Sequence, residues 1–169
     1  MDRMEEGRLP RFVKRLAVVA LDEEEMTETT PDGVRITIGS VAFEARWETR
    51  LAPRTCAAFR ALLPYTQKII HARWSGAACW IPLGDFDLGV APENPTSRPL
   101  PGQILFYPTG ISETEILLPY GEARFGSVAG ELFGSRMLTI TENLEELAIV
   151  GKDILWNGAR DIRFEIARD

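Results

Sequence analysis

The strongest constraint on the fold is an alternation of apolar and polar residues with a period of two. Val34, Ile36 and Ile38 alternate with polar residues, and after a Gly-Ser break the alternation resumes through Val41–Trp47. Successive side chains of a strand point to opposite faces, so each run predicts a strand with one buried face. A two-residue break that contains glycine predicts that the two strands form a β-hairpin.

The period changes from two to that of a helix after this hairpin. Cys56, Phe59 and Leu63 lie on one helical face, with Pro53 in the first turn and Pro64 as a stop, so a helix is predicted over 53–63. A second helix is predicted over 144–150, because Asn143 and Glu146 resemble a capping box and Gly151 follows as a stop.

Further short apolar runs, separated by turn residues, predict about eight strands in all. The later ones are expected at 67–74, 78–81, 103–107, 115–118, 136–141 and 161–168. Strands at this spacing favour a mainly β fold, with an antiparallel sheet closed into a barrel or folded into a sandwich. Residues 82–101 read as a long surface loop, and the glycine-rich 121–134 as a connector that lacks the end of a P-loop.

Composition and charge limit the function classes. The chain has 169 residues and is 45% hydrophobic, which suits a single domain. We predict a charged leader over 1–32 and a barrel domain over 33–169. The leader is expected to be partly flexible or to add one element. A net charge of -6, and a barrel without clustered Lys and Arg among aromatics, predict no nucleic-acid partner. No apolar run approaches the ~18–20 residues of a membrane span, so no membrane partner is predicted.

Cysteine and histidine usage predicts no metal and no cofactor. Cys56 and Cys79 are far apart in the sequence and form no CxxC pair, so they read as reduced thiols of a cytoplasmic protein. His71 is the only histidine, which excludes a zinc site built from several histidines.

Two parts of the sequence resemble cyclophilin-like proteins. Residues 36–45 (ITIGSVAFEA) and 51–63 (LAPRTCAAFRALL) look like the opening hairpin and first helix of a cyclophilin. Residues 101–108 (PGQILFYP) and 118–121 (LPYG) resemble bacterial cyclophilin-like families. Together with 71–80 (HARWSGAACW) and 110–116 (GISETEI), the pattern looks closest to the DUF3830 family.

This resemblance implies a closed, cyclophilin-like antiparallel β-barrel with two short helices. It also implies an incomplete prolyl isomerase site. Cyclophilins carry Phe-His-Arg on the strand after the first helix, where this chain has Ile70, His71 and Ala72, with Arg73 one residue late. The Gln-Gly-Gly segment and the later Trp and His of the proline pocket have no counterpart. The role of the DUF3830 family itself is unsettled.

Several residues are candidates for a ligand site, each with a structural alternative. His71 and Arg73 share a strand face, and Trp80 on the return strand is expected near them. This set could bind an anionic small molecule, or else form a solvated or salt-bridged strand face with Trp80 in the core. Glu113 and Glu115 share a face and suit acid–base work if one is buried, or else lie at a solvent edge. The full set of ligand-binding candidates is His71, Arg73, Trp74, Cys79, Trp80, Glu113, Glu115, Tyr120 and Arg124.

Tyr120 and Cys79 each have a functional and a structural interpretation. Tyr120 either presents its phenol at a barrel mouth, with Arg124 beside it, or packs in a turn. Cys79 reads as a core residue unless His71 or Arg73 lies close enough to lower its pKa.

The sequence favours a protein that binds a small polar or anionic ligand at one barrel mouth. The alternatives are an enzyme, either a residual prolyl isomerase or a small amide hydrolase, and an oligomeric module, a dimer by default, joined through apolar residues such as 117–120.

Overall fold

The computed structural model describes residues 33–168, which form a closed antiparallel β-barrel with two helices. The prediction for the leader over 1–32 lies outside the described residues. The strands are β1 (Val34–Ile38), β2 (Val41–Trp47), β3 (Tyr65–His71), β4 (Gly76–Gly84), β5 (Gln103–Tyr107), β6 (Thr114–Ala123), β7 (Gly126–Ser127), β8 (Gly130–Glu131), β9 (Ser135–Ile140) and β10 (Arg160–Ile166). The helices are α1 (Pro53–Arg60) and α2 (Leu144–Asn157).

Eight strands close the barrel in the order β1-β10-β3-β4-β6-β5-β9-β2, and β7 and β8 form a separate two-stranded hairpin. Ile36 lies opposite Phe43 on β2 and Phe164 on β10, so the apolar positions of the alternating pattern meet in register. Gly39 takes a φ of +59° in the β1–β2 turn. The mainly β closed barrel with two short helices is confirmed.

The barrel is filled by side chains and closed at both ends by helices. Phe59 of α1 packs edge-to-face on Phe164 at 5.2 Å between ring centroids and on Tyr65 at 5.5 Å, at the end where β3 begins. Leu147 and Ile154 of α2 pack at the other end. Neither end of the barrel therefore offers the open mouth that the sequence analysis expected as a ligand site.

The outer wall of β4, β5 and β6 carries a second, smaller apolar layer. Leu105, Leu117 and Ala78 point outward and are buried under Phe125 and Leu132, which come from the segment over 124–133. This segment contains the β7–β8 hairpin, where the sequence predicted only a connector. Both faces of β6 are consequently buried over most of its length.

Strand β6 is longer than predicted. The sequence predicts that this strand ends before Pro119, yet the strand continues to Ala123. Pro119 lies opposite Ala78, next to a register irregularity in β4, and its carbonyl accepts a hydrogen bond from Gly102 N at 2.9 Å. A proline is tolerated beside such a bulge because no ladder hydrogen bond from its nitrogen is required there.

The predicted interaction surface over 117–120 is wrong. Leu117 and Leu118 are 1% and 3% exposed, Pro119 is also buried, and Tyr120 is half-buried. These residues lie within a continuous strand between two apolar layers, so they cannot join protomers.

Helix α2 is also longer than predicted, because Gly151 does not end it. The helix continues to Asn157 and ends at Gly158, whose φ is +94°. The prediction of a capping box is wrong as well. Asn143 makes no side-chain cap hydrogen bond, and its φ of +59° is left-handed. Helix α1 ends at Arg60 rather than at Leu63.

Strand β3 ends at His71, three residues earlier than predicted, and residues 72–75 form an irregular loop. The prediction that His71 and Arg73 share a strand face is therefore wrong. No helix within residues 33–168 has both the length and the apolar character needed to cross a membrane.

Candidate functional site

A cavity of about 410 Å³ lies against the outer wall of the barrel. Its walls come from the β3–β4 loop, from β4, from the start of β6 with the turn before it, and from the β7–β8 hairpin. The apolar layer of Phe125 and Leu132 holds the hairpin against the sheet, and the cavity remains beside it.

Five of the nine candidate residues line this cavity, and four do not. Those that line it are Arg73, Trp74, Trp80, Glu113 and Glu115. His71, Cys79, Tyr120 and Arg124 lie elsewhere. Arg73 and Trp74 are separated from His71 because β3 ends at His71 and the following loop carries them to the cavity.

Glu115 is the buried acid of the cavity. Its side chain points outward from β6, on the same face as Leu117, and the residue is only 6% exposed. Burial raises the pKa of the Glu115 carboxyl to about 8, and the nearby negative charge of Glu113 adds to the effect. No hydrogen bond to this carboxyl is found among the described residues. Glu115 therefore holds its proton to a higher pH than an exposed glutamate, and its carboxyl has no hydrogen-bond partner among the described residues.

Glu113 supplies a second, exposed carboxyl to the same cavity. It lies just before β6, and its Oε2 accepts a hydrogen bond from Gly84 N at 2.8 Å. This bond fixes the carboxylate at the end of β4, near the place where Pro82 lies opposite Glu115. The two acids thus differ in environment, with Glu113 solvated and Glu115 buried, as acid–base pairs require.

Two tryptophans give the cavity its aromatic walls. Trp80 is half-buried on β4, and its Nε1–H is buried without a hydrogen-bond partner among the described residues. Trp74 lies in the β3–β4 loop and is 61% exposed. A buried, unpaired donor costs free energy of about 1–3 kcal/mol, so Trp80 is a second polar group of this wall left unsatisfied.

The β3–β4 loop is anchored to the hairpin beside it. Ser75 Oγ donates to Gly126 O and accepts from Gly126 N, both at 3.2 Å. Ser75 O also accepts from Arg124 N at 3.1 Å. These bonds hold the loop that carries Arg73 and Trp74 at the edge of the cavity.

His71 and Tyr120 form a separate pair at the end of the barrel covered by α2. His71 Nδ1 lies 2.8 Å from Ala72 O, and because a carbonyl only accepts, Nδ1 carries the proton. In the neutral ring, Nε2 then accepts from Tyr120 Oη at 2.8 Å. Both ring nitrogens are satisfied within the protein, so this pair orders the end of β3 and does not face the cavity.

Cys79 is a core thiol. It is 2% exposed inside the barrel, and burial raises its pKa to about 12. Burial likewise raises the pKa of Cys56 to about 11. A nucleophilic cysteine requires a lowered pKa, so the alternative in which Cys79 is a nucleophile is wrong.

Arg124 stabilises the segment outside the sheet. Its guanidinium donates to both carboxylate oxygens of Glu131, at 3.0 and 3.1 Å, and Ser97 Oγ donates to the same carboxylate at 2.6 Å. These bonds, from Arg124 first and then from Ser97, lower the pKa of Glu131 to about 2. Arg124 therefore supports the covering segment and does not line the cavity.

Sequence reasoning missed other residues of the wall, because each depends on a long-range contact. They are Ala72, Ser75, Pro82, Ser112, Leu117, Gly126, Ser127 and Val128. The alternation of Glu115 with Leu117 could have indicated one of them. Within the described residues, no group of three or more His, Cys, Asp or Glu side chains could hold a metal ion.

Comparison with solved structures finds similarity to distant proteins. The structure of McbB in complex with tryptophan matches with a TM-score of 0.63 and 15% identity, over 80% of this chain and 45% of McbB. The chain thus spans less than half the length of McbB. A hypothetical protein from Archaeoglobus fulgidus matches with a TM-score of 0.49 and 16% identity, over 84% of this chain and 100% of that one.

A cyclophilin-type peptidyl-prolyl cis-trans isomerase from Cryptosporidium parvum is also similar, with a TM-score of 0.48 and 13% identity, over 81% of this chain and 99% of the isomerase. No curated protein matches the sequence. A family model described as a protein of unknown function, DUF3830, matches residues 34–166. The match of the family model confirms the resemblance to DUF3830 drawn from the sequence, and the chain belongs to the DUF3830 family.

Proposed function

We propose that this protein binds a small polar molecule in the cavity on the outer wall of the barrel. The observation that carries the proposal is the Glu115 carboxyl, which is buried, lines an open cavity and has no partner among the described residues. A ligand with complementary polar atoms can supply the hydrogen bonds that the described residues do not give this carboxyl. Groups with strongly perturbed pKa values in a cleft are typical of functional sites.

The size and lining of the cavity support a ligand of small-molecule size. A volume of about 410 Å³ lies within the usual range of ligand pockets, about 300–1,000 Å³. Trp74, Trp80 and Leu117 supply apolar surface, while Arg73 and the two acids supply polar groups. This is the mixture that small-molecule sites use for affinity and orientation.

The experiment is a thermal-shift screen of the full chain with small amines, amides, alcohols and carboxylates, on the native protein and two variants. Glu115→Leu removes the buried carboxyl, and Glu122→Leu makes the same change at an exposed position of the same strand. A ligand that binds the native state raises Tm. Ligands that raise Tm of the native protein and of Glu122→Leu but not of Glu115→Leu support the proposal. If no compound raises Tm, or if Glu115→Leu responds like the native protein, the proposal is wrong.

An enzyme that uses the two acids is a second candidate. A protonated, buried Glu115 next to a solvated Glu113 suits proton transfer to and from a bound amide. Amide hydrolysis lost in both Glu113→Gln and Glu115→Gln, with binding retained, would favour it. A prolyl isomerase is disfavoured, because Ala72 stands where the resemblance expects the catalytic arginine.

Self-association through α2 is a third candidate. Ile149, Leu155 and Trp156 are exposed at 61%, 49% and 82%, on a helix whose opposite side packs on the barrel. Exposed apolar faces of this kind often mark contacts with other proteins, and a dimer of this chain is the simplest form. Light scattering after size-exclusion chromatography on the native protein and on Trp156→Glu tests it, and a monomer in both contradicts it.

We also propose a cytoplasmic location without a nucleic-acid or membrane partner. The two cysteines are unpaired and buried, which suits a reducing compartment. The acidic net charge of -6 opposes binding to nucleic acids and to anionic lipids.

A further inference from the structure

The charged groups of the cavity are distributed unevenly. Glu115 lies deep in it and Glu113 beside it, whereas Arg73 is exposed in the β3–β4 loop. No other basic side chain lines the cavity among the described residues. The buried part of the cavity therefore holds the acid Glu115, with the exposed carboxylate of Glu113 beside it, and the basic residue Arg73 lies in the exposed loop.

The described residues that pair with Glu115 in the sheet or share its cavity come from several elements. Glu113 lies on the preceding turn, Pro82 is opposite on β4, and Tyr107 is opposite on β5. The β7–β8 hairpin contributes Ser127 and the apolar Val128, and the β3–β4 loop contributes Arg73. Tyr107 Oη already accepts from Ile111 N at 3.0 Å. Among the described residues, the charged group that acts on the Glu115 carboxyl is another acid, Glu113, and no cation offsets its effect on the pKa.

The aromatic walls of the cavity also favour a positively charged group. The face of an indole ring carries negative electrostatic potential, and a cation within about 6 Å of the ring is attracted to it. Trp74 and Trp80 both line the cavity together with the acids. Aromatic faces combined with carboxyls are a typical recognition set for ammonium groups.

We propose that the ligand of this cavity carries a protonated amine, whose ammonium group binds to Glu113 and Glu115 while its apolar part packs on Trp74 and Trp80. The inference rests on the proposed function and names the chemical class of its ligand. On binding, the ammonium retains its protons, and the proton that leaves Glu115 passes to solvent or buffer. The bound state then pairs one ammonium with two carboxylates.

Proton release distinguishes this ligand class from others. An amine with a pKa well above 8 is already protonated at neutral pH, so the proton released on binding comes from Glu115. A cation beside a carboxyl favours the ionised form, and affinity therefore rises as pH increases toward the pKa of Glu115. Where release is complete, the dissociation constant falls about tenfold per pH unit. Neutral or anionic ligands give no such dependence.

The test uses three aromatic probes of similar size, namely benzylamine, benzyl alcohol and benzoate, titrated calorimetrically into the full chain. Titrations in phosphate and in MOPS, which differ in ionisation enthalpy and contain no primary amine, give the number of protons released. We expect benzylamine to bind more tightly than the other two, with up to one proton released. Glu115→Gln is expected to bind benzylamine about tenfold more weakly, without proton release or pH dependence. Glu122→Gln, on the same strand but outside the cavity, is expected to match the native protein.

Each other result overturns the inference. Tighter binding of benzoate or of benzyl alcohol would show a site for a different ligand class, and so would benzylamine binding that Glu115→Gln leaves unchanged. If benzylamine does not bind at all, the inference is also wrong. The proposed function is then tested on its own by the thermal-shift screen, in which amides, alcohols and carboxylates are separate probes.

Discussion

The ring of Tyr120 lies directly against the backbone of Gly151. A Cβ atom built on Gly151 would fall 2.1 Å from Tyr120 Cδ1 and 2.4 Å from Cγ, far inside normal contact. The glycine therefore allows α2 to approach β6 closely enough to cover the barrel end. Glycine is a poor helix former, but at this position inside the helix its lack of a side chain leaves room for the Tyr120 ring.

We predict that Gly151→Ala destabilises the protein by about 1–3 kcal/mol, because the added methyl group forces the helix or the ring to move in a packed region. The ring cannot move freely, since Tyr120 Oη is hydrogen-bonded to His71. Urea unfolding of the native and substituted chains measures the change in the free energy of unfolding.

The control is the same substitution in a Tyr120→Ala background. Without the ring the methyl group has space, and the alanine should then stabilise the helix by about 0.5–1 kcal/mol through its better helix propensity. A loss of equal size in both backgrounds would contradict the steric explanation.

The sequence predicted the barrel well because its signal is local. The alternation of Val34, Ile36 and Ile38 with polar residues depends only on the strand's own period, and the register with β2 followed from a two-residue turn. Gly151 was misread for a related reason. A glycine at a helix end and one that admits a ring from a distant strand look alike in the sequence, and Tyr120 is 31 positions away.

The site was less predictable, because it depends on where β3 stops. One continuous strand would have put Arg73 beside His71, and the observed end at His71 sends the two residues to different places. The shared cavity of Glu113 and Glu115 followed from their alternation. Their contact with Trp74 and the β7–β8 hairpin depends on folding of the 124–133 segment over the sheet, for which no periodic signal exists.

Glu93 caps helix α1 from a distant loop, and we predict that Glu93→Gln costs about 1–2 kcal/mol. Its carboxylate accepts from Thr55 N at 2.8 Å, from Thr55 Oγ1 at 2.7 Å and from Arg54 N at 3.1 Å. Burial opposes ionisation of this carboxyl, but these hydrogen bonds are stronger in sum and lower the pKa of Glu93. The stabilisation is therefore complete above the carboxyl's ordinary pKa and is lost as pH falls through the lowered value.

The Glu93 prediction is measured by urea unfolding of native protein and variant at neutral and acid pH. The difference in free energy of unfolding should shrink in acid, where the native carboxyl is protonated as well. Glu142→Gln is the matched control, since Glu142 is exposed, and it should change stability by less than about 0.5 kcal/mol. A Glu93→Gln effect that is as large in acid as at neutral pH would contradict the charge-assisted cap.

Both cysteines should resist alkylation in the folded protein. Cys56 and Cys79 are 3% and 2% exposed, and burial raises their pKa values to about 11 and 12, so little thiolate exists at neutral pH. Iodoacetamide treatment followed by mass spectrometry should show neither modified until urea unfolds the chain, and both modified afterwards. Rapid native-state modification of Cys79 alone would contradict its place in the core.

The buried Glu115 predicts that the ligand-free protein loses stability as pH rises from about 5 to about 8. Burial, and to a lesser extent Glu113, raises the pKa of Glu115 from its ordinary value to about 8. Between the two values the folded state holds a proton that the unfolded state has lost. Stability then falls with a slope of up to about 1.4 kcal/mol per pH unit, and the favourable contribution is fully present only below the ordinary pKa.

Urea unfolding of the native protein, Glu115→Gln and Glu113→Gln across this pH range measures the effect. Glutamine keeps the size of the side chain but cannot ionise, so the difference between Glu115→Gln and the native protein should grow in favour of the variant as pH rises. Glu113→Gln should keep the slope but end it at a lower pH, because it removes the neighbouring charge that helps to raise the folded-state pKa of Glu115. Parallel curves for the native protein and Glu115→Gln would mean that this carboxyl ionises freely in the folded state, and its role as the buried acid of the cavity would then fail.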